Sequence, residues 1–475
     1  MSSHSLTEGL EATLQERLGR RESQGRLRQL HAPRTDLVDF SSNDYLSFSQ
    51  DKDLRKAVIE HLTNFEEQQP PSPSNRRALG SGGSRLLDGN SEFVEYLEKK
   101  ISSFHGSQSA LLFNSAYDAN VGLISCVPGE GDVIIYDDLI HASIHDGMKL
   151  SRATRKIPFA HSSILRNASR HSVEKPEMKN PAMRVIESLG LVLKQLTEMD
   201  QHIKGGSSNV FICVEALYSM DGDIADLEYV SAIVKSMLPK GNGYIIVDEA
   251  HSVGVLGDGG RGLVCQLGLQ DQIWARVIGF GKAVGCAGGA ILCSSVARLY
   301  LINYARTFIY TTAMSFPSLA SINVAYDFLI TGKADKRRNQ LKLLVDYCHK
   351  RLKNLDQSLQ PTVATLRVLG GPPCSPIIPL FTSYPKSLSQ YCKRSGFMVR
   401  PIVAPTVPLG QERIRICIHA TNTIEQIDNL CRAIEKWLSR FITRNHIEEM
   451  ERGQTNVSMS AEFRDSLLEN GKAKI

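Results

Sequence analysis

Short apolar runs alternate with helix-length segments along the middle of the chain. Six such runs occur at residues 110–113, 132–136, 210–214, 244–247, 276–278 and 290–293. Runs that are apolar throughout are typical of strands covered on both faces, whereas a strand with one solvated face alternates polar and apolar residues. The pattern therefore predicts an α/β fold in which a mainly parallel sheet lies between layers of helices.

The two ends of the chain have a different pattern. Residues 1–30 are typical of a polar helix with apolar positions on one side, and a short strand follows them. After a break at Gly332, a helix at about 336–354, short strands and a helix at 423–440 predict a smaller α+β domain. We therefore expect an N-terminal arm (1–48), a large domain (49–328), a small C-terminal domain (329–441) and a polar tail (442–475). Polar stretches at 66–76 and 161–182 predict exposed loops.

Composition excludes several classes of protein. The 475 residues include 55 Lys and Arg against 50 Asp and Glu, a formal charge of +5, which is too weak to indicate nucleic-acid binding. With 42% hydrophobic and 22% charged residues, the chain is not disordered, and no apolar run reaches the roughly 18 residues that would predict a membrane span. Ten scattered cysteines without a CxxC pair favour reduced core thiols, and no metal site is predicted.

The termini bear on localisation. The first 21 residues lack an apolar core and include Glu8, Glu11 and Glu16, which argues against a secretory or mitochondrial presequence. The last three residues, 473–475, read Ala-Lys-Ile and resemble a relaxed form of the Ser-Lys-Leu peroxisomal signal. We therefore expect import into the peroxisome through its receptor, and otherwise a cytoplasmic protein.

Chemically active side chains follow the predicted strands. Ligands of open α/β sheets bind at the carboxyl ends of the strands, so residues just after each strand are the first candidates for a site. These positions carry hydroxyls, carboxylates, imidazoles and an amine, at Asn114, Ser115, Tyr117, Asp137, His141, Glu215, Ser219, Asp248, His251 and Lys282. The sequence therefore predicts a functional site at this edge of the sheet.

The segment Asp248-Glu249-Ala250-His251 allows two interpretations. A helicase would use it to hold magnesium, but that requires a phosphate loop ending in Gly-Lys-Ser/Thr, and every Gly-Lys pair here is followed by Ala. The alternative joins Asp248 to Lys282, which lies 34 residues later in a glycine-rich turn. Pyridoxal phosphate needs this pair, a lysine for the Schiff base and a carboxylate that keeps the pyridinium nitrogen protonated.

At this point the sequence resembles the α-oxoamine synthases, which are fold-type I pyridoxal-phosphate enzymes. The likeness covers about residues 20–440. It is carried by eight motifs in order: Ser42-Asn43-Asp44-Tyr45-Leu46, residues 80–85, residues 138–143, residues 215–223, residues 247–254, Gly281-Lys282, Tyr310-Thr311-Thr312 and Arg413-Ile414-Arg415. The resemblance implies a large domain built on a mainly parallel sheet of the seven-stranded type and a smaller α+β C-terminal domain.

The resemblance also implies a reaction. Pro405-Thr406-Val407-Pro408 is most similar to the biotin-pathway member, which condenses L-alanine with 6-carboxyhexanoyl-CoA (pimeloyl-CoA) and releases coenzyme A and carbon dioxide. Other α-oxoamine synthases stay open as alternatives: a condensing enzyme of secondary metabolism or lipid synthesis, glycine C-acetyltransferase and 5-aminolevulinate synthase. A non-catalytic subunit that supports an active paralogue is a further alternative, which the presence of Lys282, Asp248 and His141 disfavours.

The roles of individual residues are carried over from the family. Lys282 would form the Schiff base and then remove the α-proton, Asp248 would pair with the pyridinium nitrogen, and His141 would stack on the cofactor ring. The resemblance further implies that His251 and Ser219 contact the phenolic oxygen and that Glu215 lines the reacting pocket. Ser115, Ala116 and Tyr117 would bind the cofactor phosphate. Thr311 and Thr312 would come from the neighbouring subunit of a homodimer. The substrate residues would be Arg415 and Asn43 on the carboxylate and Arg28, or equally Arg26, on the acyl-CoA.

Two positions depart from the family pattern. Gly279 stands where the family has a threonine that bonds the cofactor phosphate, and Ala116 replaces a glycine. Because a hydrogen bond to a charged group contributes about 1.5–3 kcal/mol, we expect each departure to weaken the phosphate site without abolishing it.

Overall fold

The computed structural model describes residues 4–30, 32, 36–67, 78–161, 186–358, 366–368 and 371–441. Most of the two loops predicted at 66–76 and 161–182, and the whole predicted tail at 442–475, lie outside these ranges. The chain divides into two compact units, residues 1–38 and residues 39–475. The domain boundaries expected at residues 48, 328 and 441 stay predictions.

The smaller unit contains one helix, α1 (His4–Ser23), which confirms a helix within residues 1–30. Leu10, Leu14 and Leu18 are four residues apart and therefore share one face of α1. Their side chains are 59%, 41% and 48% exposed. A two-residue strand, β1 (Val38–Asp39), lies where the two units meet in the sequence.

A seven-stranded sheet forms the centre of the larger unit. Its strands are β2 (Ser109–Phe113), β3 (Val133–Asp137), β4 (Arg155–Phe159), β5 (Val210–Glu215), β6 (Gly243–Asp248), β7 (Ala275–Gly279) and β8 (Gly289–Cys293). Their spatial order is β2-β8-β7-β6-β5-β3-β4. All run parallel except β8, which is antiparallel to both of its neighbours. The predicted mainly parallel sheet is confirmed.

One strand of this sheet was not expected from the sequence. Among the described strands, β4 (Arg155–Phe159) lies at the edge of the sheet and pairs only with β3. It contains Pro158, which has no N–H to donate and is tolerated in edge strands because one side of an edge is unpaired. Only Phe159 of this strand is buried, so β4 lacks the continuous apolar run that marks the central strands.

Helices cover both faces of the sheet. They are α2 (Lys52–Glu67), α3 (Glu92–Phe104), α4 (Ala116–Cys126), α5 (Ala142–Leu150), α6 (Leu189–Met199), α7 (Gln201–Gly205), α8 (Leu227–Met237), α9 (Leu263–Gln266), α10 (Ser295–Tyr304), α11 (Arg306–Ile309) and α12 (Phe316–Ile330). Successive strand residues enter opposite cores: Ile212 packs with α6 and α8, whereas Phe211 and Cys213 pack with α4 and α5. This two-sided burial explains why the central strands are apolar throughout.

The C-terminal part contains a second, smaller sheet. Its strands are β9 (Arg367–Val368), β10 (Ile377–Phe381), β12 (Arg400–Ile402) and β13 (Arg413–Cys417), in the order β12-β13-β10-β9 and antiparallel throughout, with β11 (Phe397–Met398) outside it. The accompanying helices are α13 (Asp335–Ser358), α14 (Pro385–Arg394) and a helix over residues 424–441. The predicted α+β composition of this region is confirmed.

All ten cysteines fall within the described ranges and are free thiols. Six are buried, and Cys374 is exposed. Burial raises the pKa of the Cys213 thiol to about 12, which keeps it protonated and unreactive at neutral pH. Among the described helices, none combines the length and the apolar character needed to cross a bilayer.

Candidate active site

The predicted site residues converge at the carboxyl ends of neighbouring parallel strands. Glu215 ends β5 and Asp248 ends β6, and the two residues pair in register. Lys282 lies three residues beyond the end of β7, and His141 begins α5 directly after the loop that follows β3. The topology therefore brings together side chains that lie up to 141 residues apart in the sequence.

Asp248 is held in place by a buried amide. The Asn120 side-chain amide of α4 donates to Oδ2 of Asp248 at 2.7 Å and to Oγ of Ser143 at 3.0 Å. The backbone N–H of Ala250 donates to the other carboxylate oxygen, Oδ1, at 2.9 Å. Both oxygens of Asp248 thus accept a hydrogen bond, which is the arrangement that suits an ionised carboxylate.

The same network orients His141. Its Nδ1 lies 2.8 Å from Oγ of Ser143 and accepts from the backbone N–H of Ser143 at 3.2 Å. Because Nδ1 is the acceptor, the proton of the neutral ring lies on Nε2. His141 is exposed, yet partial desolvation lowers its pKa; Lys282 acts in the same direction and Asp248 opposes it.

Lys282 lies in a turn that requires glycine at position 285. Gly285 closes this turn with a φ of 67°, and a Cβ there would lie 2.7 Å from the backbone nitrogen of Ser49. Within the described chain, Nζ of Lys282 makes no hydrogen bond. Burial lowers the pKa of Lys282, Arg415 lowers it further, and Asp248 and Glu215 oppose the shift. A lysine with a lowered pKa supplies the neutral amine that a nucleophile or base requires.

Glu215 is a buried carboxyl next to Asp248. It is only 3% exposed, and the backbone N–H of His141 is hydrogen-bonded to it. Burial, reinforced by the charge of Asp248, raises the pKa of Glu215 well above its usual value. The raised pKa favours the protonated form of Glu215, which can donate a hydrogen bond.

Arg415 connects to His251 through a chain of hydrogen bonds. Its Nη2 donates to Oδ1 of Asn43 at 3.2 Å, the same oxygen accepts from the Tyr45 hydroxyl at 3.2 Å, and that hydroxyl lies 2.8 Å from Nδ1 of His251. Burial lowers the pKa of His251 well below its usual value, and Lys282 and Arg415 add to the shift, so the ring is neutral. The chain connects the small C-terminal sheet to the end of the strand that bears Asp248.

Arg415 has no acidic partner in the part of the chain that the structure describes. It is 8% exposed, Nη1 donates to the carbonyl of Ser219 at 3.1 Å and Nη2 to the carbonyl of Ser41 at 3.4 Å. No carboxylate of the described chain lies within 4.0 Å of the guanidinium, and its Nε has no hydrogen-bond partner. A buried guanidinium in this state is suited to bind the carboxylate of a ligand.

The predicted phosphate cradle lies at the N-terminus of α4. Ser115 is the N-cap residue, so the backbone N–H groups of Ala116 and Tyr117 begin the helix and point toward the cleft side of the sheet. Oγ of Ser115 is hydrogen-bonded to the backbone N–H and the carboxylate of Asp118. Gly279 lies beside this turn, since a Cβ on it would be 3.3 Å from Cβ of Ala116.

Three other predicted residues have contacts that do not test their expected roles. Thr311 accepts from the side-chain amide of Asn114 at 3.1 Å, and the carbonyl of Thr312 accepts from the same amide. Arg28 belongs to the separate unit of residues 1–38, where its side chain is exposed. The contacts predicted for these three residues, with a partner subunit or with an acyl-CoA, stay predictions.

Asn120, Ser143 and Tyr45 are functional candidates that the residue-by-residue prediction missed. Asn120 is 1% exposed and lies among apolar residues of α4, so the available signal was a polar residue inside an otherwise apolar helical turn. Ser143 and Tyr45 occur within motifs that were recognised, but the partners that reveal their roles are distant in the sequence.

These residues fit pyridoxal phosphate. The cofactor needs an amine without a partner, a carboxylate, an anion-binding helix terminus and a neutral imidazole. Lys282, Asp248, the first turn of α4 and His141 supply these groups. Two buried atoms without hydrogen-bond partners, Nε of Arg415 and Oδ1 of Asn120, further indicate that a ligand completes the site.

Comparisons with known proteins agree with this geometry. The family described as "Aminotransferase class I and II" matches residues 35–434. An 8-amino-7-oxononanoate synthase from Emericella nidulans is 44% identical over 431 residues, which is 91% of this chain and 96% of the relative. The aminoacyl transferase sphA of Aspergillus fumigatus is 34% identical over 83% of this chain and 79% of its own length.

Solved structures share the fold. A serine palmitoyltransferase from Sphingomonas wittichii superposes with a TM-score of 0.69 at 24% identity, covering 84% of this chain and 87% of the other. An 8-amino-7-oxononanoate synthase from Francisella tularensis superposes with a TM-score of 0.63 at 24% identity, covering 86% and 99%. A further structure with a TM-score of 0.68 is described as a serine palmitoyltransferase with PLP.

Proposed function

The chain belongs to the aminotransferase class I and II family and, within it, to the α-oxoamine synthases of the 8-amino-7-oxononanoate synthase type, and from this premise we propose that it condenses L-alanine with 6-carboxyhexanoyl-CoA. The products would be 8-amino-7-oxononanoate, coenzyme A and carbon dioxide, a step of biotin synthesis. The enzyme is a pyridoxal-phosphate-dependent acyltransferase. Its fungal relative, matched over nearly the full length of both chains, supports this choice of substrates.

The guanidinium of Arg415, unpaired within the described chain, is the observation that supports an amino acid as substrate. Its guanidinium has no carboxylate partner in the described chain and is connected by hydrogen bonds to Asn43. A planar guanidinium matches a carboxylate with two parallel hydrogen bonds. Arg415, assisted by Asn43, would hold the carboxylate of the amino acid and so fix its α-carbon relative to Lys282.

Each remaining residue has one task in the reaction. Bound pyridoxal phosphate supplies an electron sink for the α-carbon of the amino acid. Nζ of Lys282 takes the α-proton, which its lowered pKa and its unbonded state allow. Asp248, oriented by Asn120, would stabilise a positive charge on the ring nitrogen of the bound cofactor. His141, Ser219 and His251 would help to hold the cofactor, with His141 at the ring and the other two at its phenolic oxygen.

The test is release of coenzyme A thiol by the purified, cofactor-loaded protein. Pimeloyl-CoA is supplied with L-alanine, and glycine and L-serine are supplied in parallel reactions. We expect release with L-alanine and a product with the mass of 8-amino-7-oxononanoate. K282A should abolish release and the visible absorbance of the lysine–cofactor bond, whereas K235A, which removes an exposed lysine on α8, should leave both intact. Undiminished condensation by K282A would overturn the assignment.

The sphA relative supports one alternative, a condensing enzyme with another acyl donor. It is 34% identical over 83% of this chain. Palmitoyl-CoA with L-serine, acetyl-CoA with glycine and succinyl-CoA with glycine therefore form the comparison panel. Release of thiol with one of these pairs, and none with pimeloyl-CoA, would keep the fold, the cofactor and the reaction class but change the substrates.

We further propose a homodimer in which Thr311 and Thr312 complete the partner's site. The chain around them exposes large apolar side chains, namely Leu79 (76%), Leu87 (78%) and Tyr310 (72%). Backbone hydrogen bonds connect residues 79–83 to residues 313–316, so these side chains belong to one region of the surface. Mixing K282A subunits with T311A/T312A subunits tests the arrangement, because only a shared site would restore activity in the mixed dimer.

We also propose that residues 473–475 act as a peroxisomal targeting signal. A fluorescent protein fused to the last dozen residues should enter peroxisomes, and a version with the last three residues removed should stay in the cytosol. A peroxisomal enzyme would meet acyl-CoA produced by β-oxidation. Cytosolic fluorescence from both fusions would contradict the proposal.

A further inference from the structure

A second arginine lies beside Arg415. Arg400 of β12 pairs directly with Arg415 of β13 in the antiparallel register. Directly opposed residues of antiparallel strands project from the same face of a sheet. Both guanidinium groups also reach one residue of the neighbouring loop: Nε of Arg400 donates to Oγ of Ser41 at 3.0 Å, and Nη2 of Arg415 donates to the carbonyl of Ser41 at 3.4 Å.

This pair of cations has no acidic counterpart among the described residues. No carboxylate of that part of the chain lies within 4.0 Å of either guanidinium. The carboxylate of Asp39 accepts from the backbone N–H groups of Ser41 and Ser42 and lies 3.8 Å from His419. Like charges directly opposite each other destabilise a sheet, so two adjacent arginines without a carboxylate indicate a site for anions.

The two arginines differ in exposure. Arg415 is 8% exposed and its hydrogen bonds fix it inside the cleft, as a group that binds the amino acid requires. Arg400 is exposed, and its Nε is its only atom with a hydrogen bond to the described residues. That bond fixes the direction of the side chain and leaves both terminal nitrogens available to a ligand that enters from solvent.

We propose that Arg400 binds the distal carboxylate of a dicarboxylic acyl-CoA and thereby selects this donor over a monocarboxylic acyl chain. This inference rests on the proposed function. It identifies the residue that would favour 6-carboxyhexanoyl-CoA over a donor without a distal carboxylate, such as palmitoyl-CoA. An acyl chain without a terminal carboxylate would leave the Arg400 guanidinium unpaired. Arg400 is thus a specificity residue, while Arg415 binds the amino acid.

Dissociation constants test the inference without requiring turnover. The cofactor-loaded wild type, R400Q and R400K are titrated with 6-carboxyhexanoyl-CoA, with heptanoyl-CoA, which has the same number of carbons but no carboxylate, and with coenzyme A. We expect R400Q to weaken binding of 6-carboxyhexanoyl-CoA by about 10- to 100-fold and to leave the other two unchanged. R400K should restore part of the affinity. R394Q, which removes an exposed arginine at the end of α14, is the matched control.

Two outcomes would overturn the inference. Equal weakening of all three ligands by R400Q would mean that Arg400 contacts the coenzyme A portion, and unchanged binding of all three would mean that it contacts no ligand. Failure of the proposed function gives a different result: a wild type that binds 6-carboxyhexanoyl-CoA no better than heptanoyl-CoA and forms no product with L-alanine. In that case, a selective effect of Arg400 on a different dicarboxylic donor, such as succinyl-CoA, would still support the specificity role.

Discussion

Gly279 and Ala116 both depart from the family pattern at the phosphate site. Replacing Gly279 with threonine tests whether the effects of these two positions on cofactor binding are coupled. A Cβ at position 279 would lie 3.0 Å from Cβ of Ala250 and 3.3 Å from Cβ of Ala116. Carbon atoms pack best at about 3.5–4.0 Å, so G279T overfills this space at a cost of about 1–3 kcal/mol. The new hydroxyl would gain about 1.5–3 kcal/mol if it bonds the cofactor phosphate. We therefore expect G279T to bind pyridoxal phosphate within about tenfold of the wild type.

The double variant A116G/G279T should behave differently. Removing the Ala116 methyl group eliminates the 3.3 Å approach and lets the threonine shift away from Ala250, toward a position that bonds the phosphate. A116G alone should lose affinity, because glycine in the first turn of α4 costs about 1 kcal/mol relative to alanine. The double variant should bind the cofactor about tenfold more tightly than G279T. G279A, which adds the Cβ without the hydroxyl, measures the steric cost by itself.

The assay is titration of the apoprotein with pyridoxal phosphate, followed by the visible absorbance of the bound cofactor. Wild type, A116G, G279T and the double variant form a double-mutant cycle, from which the coupling free energy between positions 116 and 279 is obtained. We expect a coupling of at least about 1 kcal/mol. Effects that add to within about 0.5 kcal/mol would show that the two positions act independently, and the steric reasoning would be refuted.

Two other predictions concern residues that support the site. His161 lies 3.0 Å from Asp137 and 2.9 Å from Asp223; burial lowers its pKa, but these carboxylates outweigh burial and raise it to about 10. Its stabilising charge is complete below pH 6.5 and lost as pH rises through about 10. Chemical denaturation at pH 6 and pH 10.5 should therefore show that the unfolding free energy of the wild type falls by roughly 4 kcal/mol more than that of H161Q, and parallel losses would contradict this. N120A should weaken cofactor binding about 10- to 100-fold by releasing Asp248, as measured by the same titration, and an unchanged affinity would remove Asn120 from the site.

The strands of the fold were predictable where burial on both faces requires a continuous apolar sequence. The six strands that were predicted are apolar because helices cover both faces of the sheet. β4 escaped prediction because an edge strand has one unpaired side and needs neither a continuous apolar run nor every N–H group. Its polar residues and Pro158 are consequences of this position, which sequence pattern alone does not reveal.

The site was predictable where a residue's chemistry is tied to the end of a strand. Lys282, Asp248 and His141 follow strands that could be read from the sequence, and the structure brings them to one cleft. The proximity of Ala116 to Gly279 could not be predicted, because their separation in space depends on how α4 lies across the end of β7. The sequence shows two separate departures from the family pattern, whereas the structure places the two positions side by side, where a Cβ on Gly279 would lie 3.3 Å from Cβ of Ala116.

The charges of the site depend on the register in which β5 pairs with β6. Glu215 and Asp248 end adjacent parallel strands, and two carboxylates this close in a buried site do not both ionise. Asp248 accepts hydrogen bonds at both oxygens, whereas burial and the nearby Asp248 raise the pKa of Glu215. Two cations, Arg415 and, at the surface, Arg400, both bond to Ser41 of the neighbouring loop. The resulting positive field favours ligands that carry carboxylate or phosphate groups, which describes the cofactor, the amino acid and the proposed acyl donor alike.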